Sequence, residues 1–164
     1  MTLQKTSIGT LLKCSDGRLM KSCGCDEDWQ CPCLTTSTIN VQIDVSNCPD
    51  DSVGRDVYCI DVSADLDYVN GDASQCIWSW TTTTALVIYR ISLYFRIPPS
   101  GIHAGDPNWT EIMVIYSFAS VYAPFTFYNC TVATTEIENL SGCDDVWTLN
   151  NDDICTASIT VSRA

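Results

Sequence analysis

Between Val87 and Ile97 every second residue is large and apolar: Val87, Tyr89, Ile91, Leu93, Phe95 and Ile97. The positions between them include Arg90, Ser92, Tyr94 and Arg96. A period of two suits a half-buried β-strand and no helix, because successive strand side chains point to opposite faces. The same alternation sets Ile39, Val41, Ile43 and Val45 against Asn40, Gln42 and Asp44. No segment sustains a helical period. The strands expected lie at residues 39–45, 57–62, 64–69, 75–80, 85–97, 112–118, 121–128, 146–149 and 157–161. Asn70-Gly71 is expected as a tight turn, and Pro124 confines the strand at 121–128 to an edge or a bulge. Short strands with turns at regular intervals predict an all-β fold, a sandwich or barrel of antiparallel strands.

The chain has eleven cysteines in 164 residues, a density that points to oxidising surroundings. Two Cys-X-Cys pairs, Cys23-Gly-Cys25 and Cys31-Pro-Cys33, flank an acidic loop. If the segment folds back about Asp28, Cys25 faces Cys31 and Cys23 faces Cys33, so four sulfurs converge on one patch. That patch suits two cross-strand disulfides or one four-thiolate zinc site. Pro32 has no N–H, which places both cysteine pairs at the wider hydrogen-bonded spacing and favours metal. The spacing is not that of a standard zinc knuckle, which favours disulfides, and the two readings stay open. Further along, Cys143 and Cys155 flank a short strand and loop, while Cys59 and Cys76 flank the Asn70-Gly71 turn. Each pair is a disulfide candidate, with Cys48 competing for either.

Net charge is −12, unevenly spread. Lys5, Lys13, Arg18 and Lys21 oppose only Asp16 in the first 21 residues, whereas the remainder carries four basic residues against nineteen acidic ones. So acidic a body argues against nucleic acid and anionic membrane as partners. The basic segment is built to lie on an acidic partner, such as another copy's body, although a short solvated segment is the plainer reading. These features divide the chain into a basic, cysteine-rich, extended N-terminal leader (1–34) and an all-β body (35–164). Asp16-Gly17 sits between two mostly apolar arms, a small-hairpin signal within the leader. The first ten residues have no apolar core or small-residue cleavage site, so no signal peptide is expected. The longest apolar run, at 85–97, is interrupted by Arg90 and Arg96, so no transmembrane helix is expected either.

Catalytic signals are weak. His103 is the only histidine, in a Pro/Gly-rich loop with no acid at triad spacing, and nothing singles out two carboxylates among twenty. No catalytic residue is assigned, and a non-enzymatic protein is expected. Asp65, Asp67, Asn70 and Asp72 approach a calcium loop with one ligand out of register, and a strand running into a turn explains them better. Trp78, Trp80 and Trp109 are a candidate sugar-stacking set, although Trp78 and Trp80 share one strand face and fit a core.

The segment Leu11-Leu-Lys-Cys-Ser-Asp-Gly-Arg-Leu-Met-Lys-Ser-Cys23, the motif Cys76-Ile-Trp-Ser-Trp80 and the C-terminal run Cys143-Asp-Asp-Val-Trp-Thr-Leu149 with Cys155 and Ile159-Thr-Val161 resemble small cysteine-rich proteins encoded among tailed-bacteriophage virion genes. The resemblance covers the leader and the ends of the body, and not residues 81–128. It implies a virion-associated β-domain on capsid or tail, without defined chemistry. Such a protein is made in the host cytoplasm without a signal peptide and then resides on an extracellular particle. The expectation is therefore a structural component, a capsid decoration or tail accessory, anchored through Lys5, Lys13, Arg18 and Lys21 to other virion proteins or to copies of itself. The alternatives are a carbohydrate-binding adhesin directed at surface glycans and a small zinc-binding interaction module. No cofactor is expected beyond that zinc.

Overall fold

The computed structural model describes residues 29–122, 126–151 and 153–164, with the backbone of 5–6 and 9–10. The latter form a two-residue ladder, β1 (Lys5–Thr6) with β2 (Gly9–Thr10). The Asp16-Gly17 hairpin lies outside the described residues.

Eight strands make the body: β3 (Ile39–Ser46), β4 (Val62–Gly71), β5 (Gln75–Thr83), β6 (Val87–Arg96), β7 (Trp109–Ser120), β8 (Tyr128–Glu138), β9 (Trp147–Asn151) and β10 (Thr156–Arg163). Each pairs antiparallel with its neighbours in sequence, and β10 returns to pair with β3, closing a barrel. The fold is all-β, and of the two architectures expected it is the closed barrel. Closure leaves no open sheet edge.

Alternation decides which face turns inward. Ile39, Val41, Ile43, Leu66, Trp78, Ile91, Leu93, Phe95, Ile112, Val114, Tyr116 and Ile159 are fully buried and fill the interior. Gln42, Asp44, Ser63, Asp65, Asp67 and Ser158 stand exposed on the outer face of β3, β4 and β10. A lipid-facing barrel reverses this pattern. No helix among the described residues is long and apolar enough to cross a membrane.

Several expected elements shift. Residues 57–62 were expected as a strand, but Arg55–Tyr58 form a short helix, α1. Gly54 enters it at φ 78°, and the Asp51 carboxylate accepts the backbone N–H groups of Val53 and Arg55, as turn-forming acids do. Asn70 and Gly71 belong to β4, and the turn falls at residues 72–74. There Asp72 accepts from the backbone N–H of Ser74 (2.7 Å) and of Gln75 (3.0 Å) and from the Ser74 hydroxyl. Gly71 is needed for close approach: a Cβ there would lie 2.9 Å from the Gln75 carbonyl oxygen. Residues 121–122 form a turn, and the strand expected at 121–128 begins instead at Tyr128, as β8. A register shift opposite Tyr116/Ser117 leaves Cys130 as an extra residue in β8.

Strand direction gives the barrel two ends. At the α1 end lie residues 47–61, 84–86 and the connections after β7 and β9. At the other end lie residues 29–38, 72–74, 97–108 and 139–146. Residues 29–38 run as a strap before β3. The Trp29 indole is 7% exposed and donates to the Thr110 hydroxyl at 3.0 Å, while the buried Trp78 indole donates to the Ser37 carbonyl at 2.9 Å. Residues 29–34, expected in a leader that packs elsewhere, are thus part of the barrel's own packing.

Candidate functional site

The chemistry-bearing side chains gather at the two ends. At the α1 end, Cys48 follows β3 and Cys155 precedes β10, and they form a disulfide that clasps the closing seam. Cys59, just after α1, is bonded to Cys130 at the β8 bulge. The sulfurs of Cys48, Cys59 and Cys155 lie within 4.8 Å of one another. That grouping has the ligand type and spacing of a thiolate metal centre, but disulfide formation consumes the thiolates it would need. Around it, Tyr58, Phe118 and Tyr128 pack ring to ring, and the Tyr116 hydroxyl donates to the Ile60 carbonyl at 3.1 Å. Burial in this apolar setting raises the Tyr116 phenol above its ordinary range.

At the strap end, Cys31 is bonded to Cys76 at the start of β5. Cys33 and Cys143 are both buried free thiols that lie beside each other.

Cys48, expected as a competitor for the body cysteines, takes Cys155, and the expected Cys143–Cys155 and Cys59–Cys76 pairs do not form. Cys31 does not fold back on Cys25, because the chain from Trp29 onward crosses the barrel mouth, where Cys76 lies. Cys33 lies beside Cys143, so Cys31 and Cys33 are engaged by Cys76 and Cys143; Cys23 and Cys25, the other half of the expected four-sulfur patch, lie outside the described residues. Cys143 and Cys155 sit at opposite ends of the barrel with β9 running between them, and Cys59 and Cys76 are separated by the whole of β4. Ten strand residues span roughly 33 Å, far beyond disulfide reach. Of the anchor residues, Lys13, Arg18 and Lys21 lie outside the described residues, and only the backbone of Lys5 is described.

On the outer wall near the strap end, the His103 imidazole stacks on Trp109 with ring centroids 3.5 Å apart, and its Nε2 lies 4.0 Å from the Glu136 carboxylate. His103 forms no hydrogen bond to a hydroxyl or a thiol among the described residues, so it is not part of a paired side-chain nucleophile and base there. Trp109 is covered by that ring, Trp78 is fully buried and Trp80 packs partly against the core. The three tryptophans thus do not form an open shelf. Asp65 accepts from the Asn40 side chain and Asp72 caps its turn, so two of the four residues resembling a calcium loop are engaged locally.

Electrostatically, each of the four arginines in residues 29–164 is occupied. Arg55 pairs with Asp51, Arg96 with Glu111 and Arg163 with Asp144, while the Arg90 guanidinium lies 4.0 Å above the Phe127 ring. Most carboxylates consequently lack a cationic neighbour among the described residues. Among the described residues, the well-exposed large apolar side chains divide evenly between the ends: Val57, Ile60, Leu86 and Tyr122 at one, Leu34, Val69, Ile102 and Val146 at the other. The exposed apolar side chains described thus stand at the two ends of a filled, acidic barrel.

No family model, curated protein or solved structure matches the chain.

Proposed function

We propose that the protein is a non-enzymatic structural component of a tailed-phage virion, a small stapled barrel anchored to the capsid as a decoration or to the tail. The observation that carries this reading is the partition of its surface. Well-exposed apolar residues stand at the two ends, and the outer face of β3, β4 and β10 is polar and acidic. An element seated among neighbouring subunits needs such contact ends. Three disulfides suit a molecule that is made in cytoplasm and then persists outside the cell.

Charge supports the anchor. With its arginines occupied, the body offers uncompensated carboxylates to a basic segment carrying Lys5, Lys13, Arg18 and Lys21, on a neighbouring copy or another virion protein. The adhesin alternative finds little support in tryptophans that are buried or covered, and the zinc-module alternative finds little in a Cys31 already bonded to Cys76.

The test is proteomic and quantitative. Gradient-purified particles should contain the chain in stoichiometric amount, and a chain lacking residues 1–28 should be absent from them while still folding. Particles that lack the full-length chain would overturn the virion reading. Full occupancy by the truncated chain would overturn the anchor.

A further inference from the structure

The described residues hold eight cysteines, six of them in disulfides, and the other two lie beside each other. We propose that Cys33 and Cys143 are the two halves of a further disulfide, which fastens the strap to the β8–β9 loop when the protein meets a low-molecular-weight disulfide. Each thiol gives up its hydrogen, one S–S bond forms between the two sulfurs, and the small disulfide is reduced to two thiols.

Both partners are positioned in advance. Cys33 lies two residues beyond the Cys31–Cys76 bond and four before Ser37, whose carbonyl accepts the Trp78 indole. The backbone on either side of it is therefore fixed. Cys143 is 6% exposed, and its neighbour Asp144 is paired with Arg163 at the end of β10. Ordering already achieved by these contacts is ordering the new bond need not impose, which raises the effective concentration of one sulfur at the other. The position also has a mechanical use. Strands β8 and β9 share only two paired positions, Ala133↔Asn151 and Thr134↔Asn150, so this seam is the least securely joined part of the wall. A bond from Cys33 to Cys143 ties the loop that bridges the seam to a strap already stapled to β5.

Burial, together with the Cys143 thiol beside it, holds the Cys33 thiol far above its ordinary range. Thiolate is therefore scarce in the folded protein, and exchange is slow until the seam opens. The reduced pair survives brief exposure to oxidant and closes on long exposure or during oxidative folding.

The experiment uses the full chain incubated with oxidised glutathione, then denatured, alkylated with iodoacetamide and digested without reduction. The expected result is a linked peptide containing Cys33 and Cys143, with neither residue alkylated. Recovery of both as alkylated thiols after prolonged incubation would overturn the proposal, as would Cys33 linked to Cys14, Cys23 or Cys25. In a Cys143→Ser chain, Cys33 should be recovered alkylated or as a mixed disulfide with glutathione, while the Cys31–Cys76, Cys48–Cys155 and Cys59–Cys130 bonds persist. Cys33 linked to any other peptide of the wild-type chain would overturn the proposal.

Discussion

Removing the Cys31–Cys76 bond by the paired change Cys31→Ser and Cys76→Ala tests whether the strap is stapled to its own barrel. Alanine is chosen at position 76 because a hydroxyl there would be buried without a partner. The two cysteines are 45 residues apart in sequence. The loop contains Cys48 and Cys59, but a detour through their bonds to Cys155 and Cys130 is longer than the direct path. The denatured chain thus gains the full loop's freedom when the bond is absent. The chain-entropy relation then gives a loss of about 4 kcal/mol. For a domain of this size that is a fall in Tm of roughly 8–16 °C. The Trp29 and Trp78 hydrogen bonds survive the change, so far-UV dichroism and tryptophan emission of the folded state should match wild type. Urea or thermal unfolding of the oxidised proteins measures the difference. A loss below about 1 kcal/mol would refute the reasoning, since no loop of that length would then be held by the bond.

Four further outcomes are expected. Thr131→Val should stabilise the barrel by about 1 kcal/mol, because the Thr131 hydroxyl is fully buried with no partner among the described residues; a destabilised variant would mean that the hydroxyl is bonded after all. Trp29→Phe should cost about 1–3 kcal/mol in unfolding experiments, partly by leaving Thr110 unpaired, and combining it with Thr110→Val should cost less than the two separate losses together. Hydrogen bonds from the Ser74 side chain and backbone, joined by one from Gln75, hold the Asp72 carboxyl below its ordinary range. Its contribution is therefore present above the unfolded carboxylate pKa and lost as pH falls through the lower folded value. Asp72→Asn should flatten the acid limb of the stability–pH curve, and an unchanged limb would refute that assignment. Because the acidic body repels itself, Tm should rise as salt is raised from about 0.01 M to 0.15 M, where the screening length shortens from about 30 Å to 8 Å; a flat or falling Tm would count against it.

Strands were legible wherever the alternation was strong, as in β3 and β6, because the interior face there is uniformly large and apolar. Strand β8 was hidden. Its inward positions include Cys130, Thr131 and Ala133, and the extra residue at Cys130 breaks the period of two. A sign of it was present in the β-branched run Thr131, Val132, Thr134, Thr135 and Ile137. Of the disulfide partners only the competition of Cys48 for Cys155 was legible, because closeness in sequence is not closeness in space. In an up-and-down barrel every strand carries the chain to the opposite end, so the parity of intervening strands decides which cysteines can meet. Cys48 and Cys155 are separated by six strands and share an end, whereas Cys143 and Cys155 are separated by one and do not. The Trp29 anchor had no periodic signal, since a strap over a barrel mouth is held by individual contacts.

The pairing of β10 with β3 has a kinetic consequence. All other strand pairings in the barrel join neighbours in sequence and can form as local hairpins, on the time scale of microseconds. The seam joins residues such as Ser46 and Thr156, 110 positions apart, and its loop-closure cost falls due only at the end. On the ribosome the emerging sheet must wait, with β3 offering an open edge and one face of Val, Ile, Leu and Trp uncovered, until the last eight-residue strand is released. That interval is when such a chain is most prone to associate with its own copies. The Cys48–Cys155 bond flanks this seam, and Cys155 emerges just before β10, so a bond formed at that point would hold the ends of β3 and β10 together while the last strand pairs.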